Sequence, residues 1–173
     1  ILASTAGFCF GVNRAVEMVE ELLDSGKKVA TLGPIIHNPQ LVEDLNKRGA
    51  RIVESPEEVK PDEVLVLRSH GVASSVTEKA NELGLTVANA TCPFVAKIHK
   101  LVAEAGEKGQ TVLIAGDRHH KEVEGIIGHC TGEFFVFESL EDLEKLSKSG
   151  EISKEKPICV VSQTTFNTEL WKK

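Results

Sequence analysis

No stretch of this 173-residue chain approaches the roughly 18 consecutive apolar residues that a membrane-spanning helix needs, and no signal-peptide pattern stands at its start. A membrane role is therefore not expected, and the cytoplasm is the expected compartment. Cysteine is scarce: four thiols, at positions 9, 92, 130 and 159, are too few and too scattered for a secreted disulfide framework, and no close pair marks a zinc ribbon or a redox motif. A basic excess is missing too. With 20 Lys and Arg against 26 Asp and Glu the formal charge is −6, which argues against non-specific nucleic-acid binding while leaving room for a local anion pocket. An initiator methionine is also lacking. Ile1 already stands in an apolar run, and "NTELWKK" at the other end reads as the beginning of a helix, so the sequence reads as a fragment.

What is present begins with two cysteines. Cys92 lies in "GLTVANATCPFVAKIHK", between an apolar run, Leu85 to Ala88, expected as a buried strand, and an amphipathic run from Val95 onward, expected as a helix. Pro93 suits a first helical position, where its missing N–H costs nothing, so Cys92 is expected at a helix N-terminus, a place where the macrodipole favours anionic sulfur. "GFCFGVNRAVEMVEELL" builds the same joint around Cys9, with Val12, Ala15, Val16, Val19, Leu22 and Leu23 as one apolar stripe. The spacing repeats as well. Cys9 to Val29 and Cys92 to Val112 are both 20 positions, and Val29 to His37 and Val112 to His120 are both 8, an internal period of 83 residues. Further on, "ARIVESPEEV" is echoed by "FFVFESLEDL", and "EVLVLRSHGV" by "PICVVSQTTF" after an insert of about ten residues around Lys148 to Lys156. Such a period implies two copies of one supersecondary unit, residues 1–91 and 92–173.

Along the chain, strand and helix alternate. Residues 1 to 5 are expected as a short strand feeding the Gly7–Gly11 loop; "KKVATLG", "ARIVES", "DEVLVLRSHGV", "TVLIAG", "FFVFES" and "PICVVSQTT" are expected as further strands. Helices are expected from Cys9, from Leu41 to Lys47, after a cap at Ser74 or Ser75, from Cys92 and around Leu140 to Leu146, while "DRHHKEVEG" and "EKLSKSGEISKEK" are expected as loops. Uninterrupted runs such as "VLVL" and "ICVV" point to strands covered on both faces, hence an α/β fold of two tandem repeated units with mainly parallel sheets. In such sheets ligands collect beyond the carboxyl ends of the strands. Cys9, His37, His70, Cys92, His120 and Thr164 all follow an expected strand.

Weighed singly, Cys130 and Cys159 read as small apolar core residues, and His99, His119 and His129 as ordinary surface or core histidines. Cys9 and Cys92, matched across the repeat, read as metal ligands or nucleophiles. His37, His70 and His120 stand in strand-end loops, where imidazoles and helix N-terminal amides together make a phosphate pocket. Glu122 is either an acid complementing a helix dipole or a proton donor in an enclosed pocket. Thr164 and Thr165 either cap the last helix or offer hydroxyls to a substrate oxygen.

Taken together, "GFCFGVNRAV", "GPIIHNP", "RSHGV", "ATCPFVAKIH", "HKEVEG" and "SQTT" resemble, in this order and along essentially the whole chain, the 4-hydroxy-3-methylbut-2-enyl diphosphate reductase (LytB-type) family. The resemblance implies a trefoil of three similar α/β units around a four-iron four-sulfur cluster, and a reductive removal of hydroxyl from an allylic diphosphate in the methylerythritol phosphate route to isoprenoids. By the same resemblance Cys9 and Cys92 are two of three cluster ligands, His37, His70 and His120 contact the diphosphate, Glu122 relays the proton to the leaving hydroxyl, and Thr164 with Thr165 lies in the substrate network. A ferredoxin- or flavodoxin-type electron donor is implied too. The family usually has Asp at the position of Asn89 and Pro at that of Lys121, and the third ligand and third unit are expected outside this chain. Two other readings stay open: a non-redox phosphate-binding α/β module, and a cysteine hydrolase using Cys9 or Cys92 with a histidine.

Overall fold

The structure, a computed structural model, describes residues 6–153 and 155–173, so the strand expected at residues 1–5 lies outside the described residues. Two compact units form. One takes the chain up to Gly71 together with Ser75–Pro93, and the other takes Val72–Ser74 and Phe94–Lys173.

In the first unit, α1 (Phe10–Asp24) is followed by β1 (Lys28–Leu32), α2 (Pro39–Lys47), β2 (Ala50–Val53), a 3-10 turn at Pro56–Glu58, β3 (Glu63–Leu67), α3 (Ser74–Glu82) and β4 (Thr86–Asn89). The sheet order is β2-β1-β3-β4 and every pairing is parallel, with Val29 opposite both Ala50 and Val64, and Leu65 opposite Val87. The apolar stripe of α1 explains its docking: Ala15, Val16 and Val19 are buried and pack with Val29, Ile35, Leu45 and Val66. Each fully buried valine or leucine of this kind contributes about 1.5–3 kcal/mol.

The second unit repeats this order with α4 (Pro93–Glu107), β5 (Thr111–Ala115), α5 (Lys121–Ile127), β6 (Phe134–Phe137), α6 (Leu140–Ser149), β7 (Ile158–Ser162) and α7 (Thr168–Trp171). Its sheet runs β6-β5-β7, again parallel, so β5 takes the central place that β1 holds in the first sheet. Phe10 and Pro93 open α1 and α4, 83 positions apart, and Lys28 and Thr111 open β1 and β5 at the same interval. Val72–Ser74 joins this unit through the Ser74 hydroxyl, which donates to the Gly128 carbonyl at 2.8 Å, and through a 3.1 Å contact between His129 Nε2 and the Val72 carbonyl.

Several local expectations are corrected. Ser74 lies inside α3 with its hydroxyl directed to Gly128, so it does not cap that helix. The helix expected around Leu140 to Leu146 runs on to Ser149, into the stretch expected as loop: Ser139 and Asp142 form a reciprocal capping box at its start, and Gly150, at φ +78°, closes the other end. "DRHHKEVEG" turns helical from Lys121, with Glu122 and Glu124 in the first turn. Neither Thr164 nor Thr165 caps α7; Asn167 does, accepting from the Glu169 and Leu170 amides. β4 and β7 are not covered on both faces. Among the described residues β4 stands at a sheet edge and is exposed or half-buried throughout, and along β7, likewise at an edge, the exposed Ile158 and Val160 alternate with the inward Cys159 and Val161.

Glu63, at the start of β3, is only 7% exposed and accepts two hydrogen bonds from the Arg51 guanidinium, at 2.7 and 3.0 Å, and one from the Lys60 amide at 2.8 Å. The Arg51 hydrogen bonds hold its carboxyl below the ordinary glutamate value of 4.5, against the opposing effect of burial. A depressed folded pKa means stabilisation that is complete above the unfolded value and lost as pH falls through the folded one. Glu63→Gln is therefore expected to cost about 1–3 kcal/mol at neutral pH, with the gap to the parent protein closing on acidification. Urea melts at neutral and acidic pH check this, and a gap that ignores pH would contradict it.

Candidate functional site

Cys9 is the N-cap residue of α1, extended at φ −68° and ψ 165°, with its carbonyl accepting the Asn13 amide at 3.0 Å. Its side chain makes no capping hydrogen bond and is exposed, which leaves the thiol available for chemistry. Cys92 directly precedes α4. Its amide donates to the Ser69 carbonyl at 2.9 Å, while the Ser69 hydroxyl donates in turn to the Ile35 carbonyl at 3.2 Å. One buried serine thus joins the loops that follow β1, β3 and β4. His37 and His70 belong to two of those loops, and their rings meet at 4.5 Å between centroids with a 44° tilt. Gly71, at φ +76°, turns the chain immediately after His70.

The two cysteine corners approach each other at Gly11. A Cβ added there would stand 2.6 Å from Cys92 Sγ and 3.0 Å from its Cβ, so the first turn of α1 packs directly on the Cys92 side chain. Gly11→Ala is expected to lower stability by about 1–3 kcal/mol through overpacking, reduced by up to about 1 kcal/mol of helix propensity. It should also change the labelling rate of Cys92. A variant melting like the parent, with Cys92 labelling unaltered, would show that the corner is looser than this.

The second unit collects another group. His120 is the N-cap residue of α5, and its Nδ1 accepts the Glu122 amide at 3.2 Å, which places the hydrogen of the neutral ring on Nε2. Glu122 is 2% exposed. One carboxylate oxygen accepts the Thr164 amide at 2.7 Å and the other the Thr164 hydroxyl at 2.8 Å, so this buried acid is bonded to an exposed residue. Gln163 fastens the neighbouring loops: its Oε1 accepts the Asp117 amide at 3.0 Å and its Nε2 donates to Thr165 Oγ1 at 2.8 Å.

Cys130 and Cys159 are half-buried and pack on the second unit's core, where burial, reinforced by Cys159, pushes the Cys130 thiol up to about 11. His99 is buried and stacks on His129 at 4.1 Å; burial first, then the neighbouring ring's charge, pushes it down to about 4, so it is neutral at physiological pH. Its Nε2 makes no hydrogen bond to protein, which differs from the satisfied core histidine expected there. Gly11, Arg14, Ser69 and Gln163 were not singled out by sequence reasoning. Their partners lie far along the chain, as with Arg14, whose guanidinium donates to the carbonyls of Thr91 and Asn89 at 3.2 and 3.3 Å.

The departures noted in sequence have local accounts. Asn89 Oδ1 accepts the Thr91 amide at 2.9 Å, a bond an aspartate could also make. Lys121 holds the first helical position of α5, where proline is tolerated for want of an amide partner, and pairs instead with Glu124 at 2.9 Å.

With this geometry in view, the family comparison is decisive: the model of the family described as "LytB protein" matches residues 1–173. The chain belongs to the LytB protein family. Among curated LytB relatives, the 4-hydroxy-3-methylbut-2-enyl diphosphate reductases of Geobacter sp. strain M21 and Aquifex aeolicus are 41% and 42% identical, over 98% and 99% of this chain and 58% of their own lengths. The structure of the E-1-hydroxy-2-methyl-but-2-enyl-4-diphosphate reductase from Plasmodium falciparum superimposes with a TM-score of 0.89 at 29% identity, covering 98% of this chain and 52% of that one. A solved (E)-4-hydroxy-3-methyl-but-2-enyl diphosphate reductase, described as the terminal enzyme of the non-mevalonate pathway, gives 0.83 at 42% identity, covering 99% and 60%. This LytB chain therefore spans somewhat more than half the length of the relatives it matches. No helix among its described residues is long and apolar enough to cross a membrane.

Proposed function

We propose that this chain forms part of a cytoplasmic iron–sulfur reductase that converts (E)-4-hydroxy-3-methylbut-2-enyl diphosphate into isopentenyl and dimethylallyl diphosphates. The observation that carries the reading is the stitched corner of the first unit, in which Ser69 links the loops of His37, His70 and Cys92 while Cys92 rests on the helix that Cys9 caps. Two thiols at helix N-termini, one exposed and one with room cleared by a glycine, suit two ligand positions of a cluster. Among the described residues no group of three or more Cys, His, Asp or Glu side chains could hold a single metal ion. The further cluster ligand is expected from the part of the longer relatives that this chain does not span.

Cys9 and Cys92 would hold the cluster through their thiolates, and the cluster, when bound, would supply electrons and Lewis acidity. Loss of the hydroxyl consumes two electrons and two protons and releases water. His37, His70 and His120 serve as donors to the diphosphate, with the His120 hydrogen on Nε2 as its capping role dictates. Glu122 and Thr164, whose oxygens stand 2.8 Å apart, form the proton path: once protonated, the buried acid turns from acceptor to donor and passes its proton to Thr164 Oγ1 as that hydroxyl gives its own to the departing oxygen. Gln163 holds Thr165 beside it. A ferredoxin- or flavodoxin-type protein supplies the electrons.

The test is turnover by the full-length protein, purified without oxygen and given a reduced donor and the allylic diphosphate. The two isomeric products are expected. A colourless protein that binds the diphosphate and turns nothing over would overturn the reductase reading in favour of a non-redox phosphate-binding module.

A further inference from the structure

Arg14 stands on α1, five residues after Cys9, and is half-buried. Its Nη1 donates to the Thr91 carbonyl at 3.2 Å and its Nη2 to the Asn89 carbonyl at 3.3 Å, so both arms of one guanidinium grip the Asn89–Thr91 link that carries the end of β4 into Cys92. That link is itself closed, since Asn89 Oδ1 accepts the Thr91 amide at 2.9 Å and the Ala90 amide donates to the Leu67 carbonyl at 3.1 Å. Its two outer carbonyls are therefore presented at a fixed spacing. On the same helix Gly11 lies against the Cys92 side chain. The thiol is thus located from two directions: its side chain by a contact that admits no Cβ, and its backbone by a fork one helical turn further along.

We propose that Arg14 is a positioning residue that sets the separation between the Cys9 and Cys92 thiols by tying the Cys92 link to the helix Cys9 caps. It acts through the backbone carbonyls it holds, and the proposal rests on the reading above only in assigning those thiols a shared ligand. The chemistry favours arginine. A guanidinium is planar, remains charged at any physiological pH and presents its donors in a rigid fork, which fits two carbonyls held a fixed distance apart. A lysine ammonium is a point donor on a flexible stem, so it restores the charge but not the two-point grip. Hydrogen bonds from a charged donor contribute more than neutral ones, and here they act on ligand spacing more than on the core, whose packing involves α1 through Ala15, Val16 and Val19.

The experiment uses the full-length protein without its cluster. A trivalent arsenical that must join two thiols is added, the Cys9–Cys92 adduct is quantified by peptide mass spectrometry, and single-thiol labelling and melting temperature are followed in parallel. Arg14→Ala and Arg14→Lys are expected to slow adduct formation by about 10–100-fold, the range seen when a residue orienting a metal ligand is removed. Single labelling of each thiol should stay unchanged, as should the melting curve of Arg14→Lys. Bridging at the parental rate in Arg14→Lys would overturn the proposal, as would slowing matched by equal loss of single labelling. If Arg14→Ala does not fold, Arg14→Lys decides; failure of both to fold would assign Arg14 to stability and also overturn it. Bridging needs no iron, so a protein that lacks a cluster and turns nothing over, which sinks the reductase reading, leaves this result legible.

Discussion

Glu122→Gln in the full-length protein is expected to bind the allylic diphosphate as the parent does and to turn it over about 10²–10⁴ times more slowly, the usual contribution of a positioned acid. The substitution keeps the shape of the site. The glutamine oxygen can still accept the Thr164 amide, now made at 2.7 Å, and its NH2 can donate to the Thr164 hydroxyl in place of the hydrogen bond that the carboxylate accepts at 2.8 Å. What disappears is the ionisable proton of a carboxyl group. Glu122 is buried and, among the described residues, its carboxylate hydrogen-bonds to Thr164 alone, so the threonine hydroxyl is the outlet of the proposed path. Thr164→Val should therefore reproduce much of the loss in kcat. Normal turnover by Glu122→Gln would remove the acid from the scheme, and a loss confined to KM would make it a binding group.

Cys92→Ser is expected to have the larger effect on the cofactor. Serine offers a hard, neutral oxygen where iron favours a soft thiolate. Loss of a direct ligand should exceed the 10–100-fold loss typical of a supporting residue, so protein purified without oxygen should lose its brown charge-transfer absorbance and most of its iron. The fold should survive. The Cys92 amide bond to Ser69 involves backbone alone, and the half-exposed side chain makes the change cost about 1 kcal/mol or less. Cys159→Ser, on the outer strand of the second sheet, is the control and should retain both colour and iron. Equal bleaching by both variants would show that stability, not ligation, is being measured.

Much of this arrangement was legible in the amino-acid order because its signals are local. Helix starts at Cys9 and Cys92 follow from apolar periodicity and from Pro93, and the 83-residue interval recurs in the bounds of α1 and α4 and of β1 and β5. The crowding of His37, His70 and Cys92 follows from parallel strands, which send all their carboxyl ends to one edge. Edge and centre were not legible. "ICVV" has the run of a covered strand, and only the sheet order reveals that, among the described residues, β7 has a neighbour on one side alone. Arg14, Ser69 and Gln163 were missed because the hydrogen bonds from Arg14 to Thr91, from Ser69 to Ile35 and from Asp117 to Gln163 reach across 34 to 77 positions, a distance over which side-chain type carries no pairing information. For α6, expected around Leu140 to Leu146, the polar composition of the stretch hid only the last turn to Ser149, which Gly150 ends.

The claim on which the rest depends is that the thiols of Cys9 and Cys92 and the imidazoles of His37 and His70 serve one site. The most direct measurement is the electron paramagnetic resonance spectrum of the full-length protein, reduced without oxygen, before and after addition of inorganic diphosphate. Because Ser69 couples the two histidine loops to the Cys92 backbone, diphosphate is expected to shift the cluster's signal in the parent protein and to leave it unmoved in a His37→Ala, His70→Ala double variant. A cluster signal indifferent to bound diphosphate in the parent would contradict the account.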